Sequence, residues 1–212
     1  STVQRDIFFA SKALDGITDR YEVYDFELLD SWVDSMISNY ETFTGETDPK
    51  PNIAIVDFDG EGIISEFEVF QSHFQARGYD TVICDPRKLR YKNGELTYNG
   101  KRIDLVYRRA VTARLVEEAE HIQDFLQAYR DGAVCVVGGL VSQVIHNKII
   151  FAVLHSDQCL SLLEPDEREF VKKHIPYTAV FEPGDEKLRE EVKKSKDKWV
   201  LKPLDQYAGR GV

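Results

Sequence analysis

The residues of this chain that could do chemistry are a lysine ahead of a glycine-containing loop, two aspartates at a strand end, and a pair of adjacent arginines. The run Trp199-Val200-Leu201-Lys202-Pro203-Leu204 reads as a short apolar strand that delivers Lys202. It then opens into a loop, Asp205 to Val212, containing Gly209, Arg210 and Gly211. Glycine lets backbone N–H groups reach phosphate oxygens with no Cβ in the way, and a strand-held lysine supplies a fixed positive charge to the same oxygens. If this loop holds a nucleotide, most of the nucleotide site falls beyond Val212. The chain is therefore expected to be the front part of a longer enzyme and inactive by itself; the absence of an initiator methionine agrees.

Asp57-Phe58-Asp59-Gly60 follows the apolar run Ile53-Ala54-Ile55-Val56. Such a pair suits a haloacid dehalogenase-like phosphatase, in which one aspartate attacks phosphorus and the other moves protons. Against it, Glu61 stands where that signature carries Thr or Val, and no later apolar strand ends in an acidic pair suited to Mg²⁺. A glycosyltransferase-type Asp-x-Asp is a weaker variant, and aspartates capping loop N–H groups are the plainer reading. Arg108-Arg109 ends another buried strand, where open α/β sheets bind ligands and where guanidinium grips carboxylates in two-point fashion. A structural ion pair is the competing role. His73, His121, His146, His155 and His174 have no metal-ligand spacing.

The elements that must position these residues follow from periodicity. Residues 2–44 read as helical, with Phe8, Phe9, Leu14, Phe26, Leu29, Trp32, Val33, Met36, Ile37 and Tyr40 recurring mostly at three- and four-residue steps. Strand Ile53–Val56, a helix Phe67–Arg77 introduced by a Ser65/Glu68 capping box and closed by Gly78, and strand Tyr79–Cys84 form a parallel βαβ unit. Asn93-Gly94 and Asn99-Gly100 are hairpin turns around Glu95–Tyr98 and Lys101–Asp104, the latter running into Ile103–Tyr107. Next come a helix Leu115–Tyr129, a strand Ala133–Val137, a helix Val141–Leu154, a helical stretch Pro165–Lys173, a strand Thr178–Phe181 and a helix Glu186–Lys196.

Composition fits a soluble α/β globule: 212 residues, 42% hydrophobic and 30% charged, with no membrane-length apolar run. A formal charge of −10 disfavours nucleic acid as a partner. Cys84, Cys135 and Cys159 are scattered, as in a reducing, cytoplasmic protein without disulfides or zinc.

Taken together, Asn52 to Val212 resembles the ATP-grasp superfamily, specifically glutathione synthetase-like and glutathionylspermidine synthase-like ligases. The segments Ile53–Asp57, Arg77–Tyr79, Thr81–Cys84 and Leu105–Arg108 are similar to its pre-ATP-grasp domain. Asn147-Lys148-Ile149-Ile150-Phe151 and Val200–Asp205 with Gly209 are similar to its ATP-facing segments. The resemblance implies a pre-ATP-grasp (Rossmann-like, largely parallel) domain over 51–140. A helical extension over 1–50 precedes it, and linker helices with the truncated start of an ATP-grasp domain over 141–212 follow.

It also implies ATP and Mg²⁺, with Lys148, Lys202, Gly209, Arg210 and Gly211 on ATP and the magnesium ligands beyond Val212. Arg108, with Arg109, would serve a small peptide or amino-acid-like substrate. The implied chemistry is carboxylate–amine ligation through an acyl phosphate. A non-catalytic module binding a carboxylate or a protein is the alternative on the same scaffold, with a homo-oligomer left open. The loop has fewer glycines than the family's, and Ala110-Val111-Thr112 lacks the acid and proline that follow the arginine in bacterial glutathione synthetases.

Overall fold

The structure is a computed structural model that describes residues 2–12, 15–24 and 27–204. It divides into two compact units, Ser1–Gly139 and Leu140–Val212. In the first, helices α1 (Thr2–Ala10), α2 (Asp15–Thr18) and α3 (Leu29–Thr44) lead into β1 (Ile53–Val56), α4 (Ile64–Ala76) and β2 (Thr81–Cys84). Then come β3 (Arg90–Lys92), β4 (Glu95–Tyr98), β5 (Lys101–Arg102), β6 (Leu105–Arg108), α5 (Thr112–Glu117), α6 (Gln123–Arg130) and β7 (Cys135–Val137).

Among the described residues the strands make two sheets: a parallel one in the order β2-β1-β6-β7 and an antiparallel one in the order β3-β4-β5. The chain is therefore α/β, as its sequence predicts. Strand β1 is central, with Ile53 opposite both Thr81 and Leu105, and all four of its residues are buried. That explains a continuous apolar run where a one-sided strand would alternate. On one face, Ile53, Ile55, Leu105 and Tyr107 pack with Val33, Met36, Ile37 and Tyr40 of α3 and with Phe67 and Phe74 of α4. Trp32 stacks on Phe70 at 4.3 Å and meets the edge of Tyr107 at 4.3 Å between ring centroids. Ala54, Val56 and Val106 alternate with these residues and are also fully buried. Leu115, Ile122, Phe125 and Ala128 from α5–α6, with Leu89, Leu96 and Ile103 around the hairpins, complete the core.

Helix α3, part of the segment resembling an extension, thus contributes to this core. Its N-terminus is capped by Glu27, whose carboxylate accepts from Asp30 N (2.6 Å) and Ser31 N (2.8 Å), and Gly45 closes it in the left-handed conformation at φ 75°. Both hairpin turns form: Asn93-Gly94 and Asn99-Gly100 all take positive φ and join strands paired Lys92 to Glu95 and Tyr98 to Lys101.

Four expectations are corrected here. The capping box fails because α4 starts at Ile64 with Ile63 as its uncapped N-cap, which places Ser65 inside the helix. The run 101–107 splits into two strands: Ile103 N still bonds Leu96 O, but Asp104 N and Leu105 N turn to Asn52 O. Asn52 in turn donates from N (2.9 Å) and Nδ2 (3.2 Å) to Asp104. The helix over 115–129 is interrupted between α5 and α6 by a tight turn at Ala119–His121. The helix over 141–154 breaks at Asn147, as described next.

The second unit holds α7 (Gln143–His146), α8 (Ile149–Leu154), α9 (Asp157–Leu162), α10 (Pro165–His174) and α11 (Glu186–Lys194). Asn147 adopts an extended conformation, and its side-chain oxygen accepts from Ile149 N at 3.0 Å, ending α7 and starting α8. No strand forms at Thr178–Phe181 or at Trp199–Leu204. An apolar run becomes a strand only by pairing; Val200 and Leu201 instead lie 67% and 69% exposed. No helix among the described residues is long and apolar enough to cross a membrane.

Phe74 is fully buried against Trp32 and Tyr79 at the junction of α3, α4 and the sheet. Phe74→Ala is expected to cost about 3–5 kcal/mol, read as a lowered urea midpoint with an unchanged slope. A loss within 1 kcal/mol, on the order of a surface substitution, would contradict this packing.

Candidate functional site

The order β2-β1-β6-β7 makes the chain leave β1 toward β2 on one side and return to β6 on the other. Such a reversal leaves a crevice outside the carboxyl ends of the two strands, the place where open α/β sheets take ligands. Here the loop Asp57–Ile63 follows β1, Asp85 follows β2, Arg108 and Arg109 end β6, and Gly138 follows β7.

The loop is held by charge. Asp85, 1% exposed, accepts from Asp59 N (2.8 Å), Arg87 N (2.9 Å), Arg87 Nε (2.9 Å) and Arg87 Nη2 (2.6 Å). Burial alone would raise its pKa, but these hydrogen bonds outweigh it and hold the carboxyl at about 2. Asp59 pairs with Lys88 at 2.5 Å and Glu61 with Arg114 at 2.8 Å. Phe58, buried, lies under the guanidinium groups of both Arg87 (5.4 Å) and Arg114 (5.1 Å). Gly62, at φ 69°, closes the loop onto Asp57: a Cβ there would stand 2.6 Å from Asp57 Oδ2 and 2.7 Å from the Phe67 ring. Only glycine fits.

The two arginines have different roles. Arg108 donates to the carbonyls of Gly138 and, at 2.6 Å, Ala110, and to Thr112 Oγ1 at 3.3 Å. Burial lowers its pKa, and its guanidinium is engaged in tying β6 to the loop after β7. Arg109 donates to Tyr107 Oη at 2.9 Å and to Glu66 at 3.2 and 3.3 Å, over the rings of Phe67 and Tyr107. Its Nε is buried with no hydrogen-bond partner among the described residues.

Asp57 is half-buried. Its Oδ1 accepts from Phe58 N at 2.9 Å, and no hydrogen bond or ion pair among the described residues reaches Oδ2. Burial pushes its pKa up; the Phe58 N–H opposes this, Glu61 and Asp85 add to it, and Arg109 counters. Among the described residues no group of three or more His, Cys, Asp or Glu side chains is arranged to hold a metal ion.

In the second unit, Lys148 N donates to Leu204 O at 3.0 Å. That bond joins the start of α8 to the segment carrying Lys202, which is exposed. The same segment is held at its other end by Trp199, which packs edge-on to Tyr177 (6.1 Å), itself against His155 (5.5 Å). His155 Nε2 donates to the carbonyls of Ile175 (3.1 Å) and Pro176 (3.2 Å). Lys202 is thus presented by a pinned extended segment and not by a sheet strand. Gly209, Arg210 and Gly211 lie outside the described residues.

Asp85, Glu66 and Arg114 are organising residues that sequence reasoning missed. Asp85 had a readable signal: aspartate directly before Pro86 is a turn-capping pair, and its side chain does accept from Arg87 N. Glu66 carries none, because its partner Arg109 is distant in sequence; Arg114 had a partial one in Glu117 and Glu118, three and four residues on, while its third partner Glu61 is remote.

Two substitutions test this frame. Asp85→Ala leaves Asp59 N and Arg87, itself 40% exposed, without their acceptor and is expected to cost about 1–3 kcal/mol by urea unfolding. Lys88→Ala, at an exposed pair, should stay within about 1 kcal/mol; equal losses would refute the ranking. Asp57 has a raised folded-state pKa, so the folded chain binds more protons than the unfolded chain just above the ordinary carboxylate range. Stability therefore falls as pH rises through that window and stays reduced above it. Asp57→Asn should raise the thermal midpoint at pH 7 and leave it unchanged near pH 3; a lowered midpoint at pH 7 would show that the charged form is stabilised.

No protein-family model and no curated protein matches this chain, so the roles of both loci rest on their chemistry.

Proposed function

We propose that this chain is part of an ATP-dependent ligase that joins a carboxylate to an amine through an acyl phosphate, acting on a peptide or amino-acid-like substrate. The observation that carries the reading is the Lys148 N to Leu204 O hydrogen bond. It gathers the segments of two lysines that are remote in sequence, and a triphosphate needs more than one positioned cation. Lys148 and Lys202 would hold phosphate oxygens, with Gly209, Arg210 and Gly211 closing over them. Arg109 supplies a fixed positive charge at the crevice of the first unit, suited to a substrate carboxylate. Arg108, engaged by backbone carbonyls, shapes that crevice.

A substrate carboxylate oxygen takes the γ-phosphoryl group, releasing ADP. The amine then attacks the acyl carbon, and inorganic phosphate leaves with the C–O bond electrons. Mg²⁺ would offset phosphate charge; no residue of this chain is assigned to it.

The test is ADP formation by the protein containing this chain, assayed with amino acids and short peptides as carboxylate and with amines. Formation should require both, and Lys148→Ala and Lys202→Ala should each lower turnover by roughly 10²–10³-fold, the effect of losing one preorganised group. Unchanged kinetics in both variants, or ADP release independent of the amine, would overturn the reading.

A further inference from the structure

The second unit carries a groove that the ligase reading does not use. It encloses about 580 Å³, open to solvent, between Leu154 at the end of α8 and a stripe formed by Leu163, Asp166, Glu167, Phe170 and Val171 at the start of α10 and along it. Small-molecule sites usually span about 300–1,000 Å³ and are mainly apolar. Leu154 and Leu163 are half-buried and Val171 is buried, whereas the Phe170 ring stands 58% exposed.

The stripe on α10 has the spacing of a helix face that packs against something, with steps of three and one residues from Leu163 to Val171. Two acids stand in the middle of it. Four residues on from Asp166 and Glu167 are Phe170 and Val171, so neither acid finds a cation at that helical spacing. Glu167 Oε2 accepts from Glu164 N at 2.9 Å in the capping box of α10. Asp166 takes part in no hydrogen bond or ion pair among the described residues. A wholly apolar occupant would bury these carboxylates without partners, and an anion would be repelled by them. A molecule with an apolar body and a positive end satisfies both halves of the lining.

We propose that this groove binds a small primary ammonium compound carrying an apolar chain or ring. The body lies on Leu154, Leu163, Phe170 and Val171, with the exposed Phe170 ring as its aromatic wall, and the –NH₃⁺ group donates to Asp166 and Glu167. Neither Lys148, Lys202 nor the crevice of the first unit takes part, so the site stands or falls apart from the ligase reading.

The probe is 2-phenylethylammonium chloride, titrated into the full chain at constant ionic strength and followed by methyl NMR of Leu154, Leu163 and Val171. Sodium 3-phenylpropionate and 2-phenylethanol, of similar shape but negative or neutral, are the comparisons. Saturable shifts at all three residues are expected with the ammonium compound, with affinity about tenfold or more weaker for both comparisons and in Asp166→Asn. Raising sodium chloride should weaken the ammonium compound's binding. The ranking of the three compounds in the wild-type chain stands whatever the variant does. Equal affinity for phenylpropionate or phenylethanol, a linear drift that does not saturate, or wild-type affinity in Asp166→Asn overturns the site.

Discussion

The buried carboxylate of Asp85 is the constraint on which the candidate crevice depends. A charge removed from water must be answered on every lone pair, and Asp85 meets this with one guanidinium and two backbone N–H groups. One of those N–H groups belongs to Asp59, so satisfying Asp85 also fixes the loop after the neighbouring strand. Arg87, held in place by the same carboxylate, then lies over Phe58 and reaches toward Glu118 at 3.9 Å. Strand β2, the β1 loop and the α5 region are thereby linked through one acid.

Charge pairing around the crevice is dense, yet its members differ in worth. Exposed pairs such as Lys88 with Asp59 are screened by water and do little beyond orienting side chains. Arg114 grips three acids, Glu61, Glu117 and Glu118, and so joins the loop to α5 through a planar group whose face also covers Phe58. The buried thiols stand outside this network: burial pushes Cys84 up to about 12 and Cys135 to about 11, leaving both as small apolar core groups.

Much of the first unit was legible in the sequence because its signals are local. Four consecutive apolar residues marked a strand covered on both faces, two Asn-Gly pairs marked turns, and the helical spacing of Val33, Met36, Ile37 and Tyr40 marked the buried side of α3. Arg108 and Arg109 were correctly set at a strand end. What those arginines touch was not legible, since Gly138 and Glu66 reach them only through the sheet order. The strand expected around Lys202 shows the opposite failure: apolarity at Val200 and Leu201 imitates a strand, but pairing is a property of a partner, and the described residues offer none. Ser65 fails similarly, because the capping-box pattern says where a helix could begin and α4 begins two residues earlier, with Ile63 and not Ser65 as its N-cap.

The split between the two sheets bears on the order in which the chain acquires its structure. The antiparallel sheet is built from neighbours in sequence joined by two-residue turns, and such hairpins close in microseconds. The parallel sheet must bring β1 to β6 across the whole hairpin segment, with Asn52 and Asp104 bonded at a separation of 52 residues, and long closures slow folding. Leu89, Leu96 and Ile103, the apolar residues around the hairpins, are buried in the same unit. The small sheet is thus the part of this unit closed by the shortest loops, and the parallel sheet that carries the crevice is the part that needs the longest.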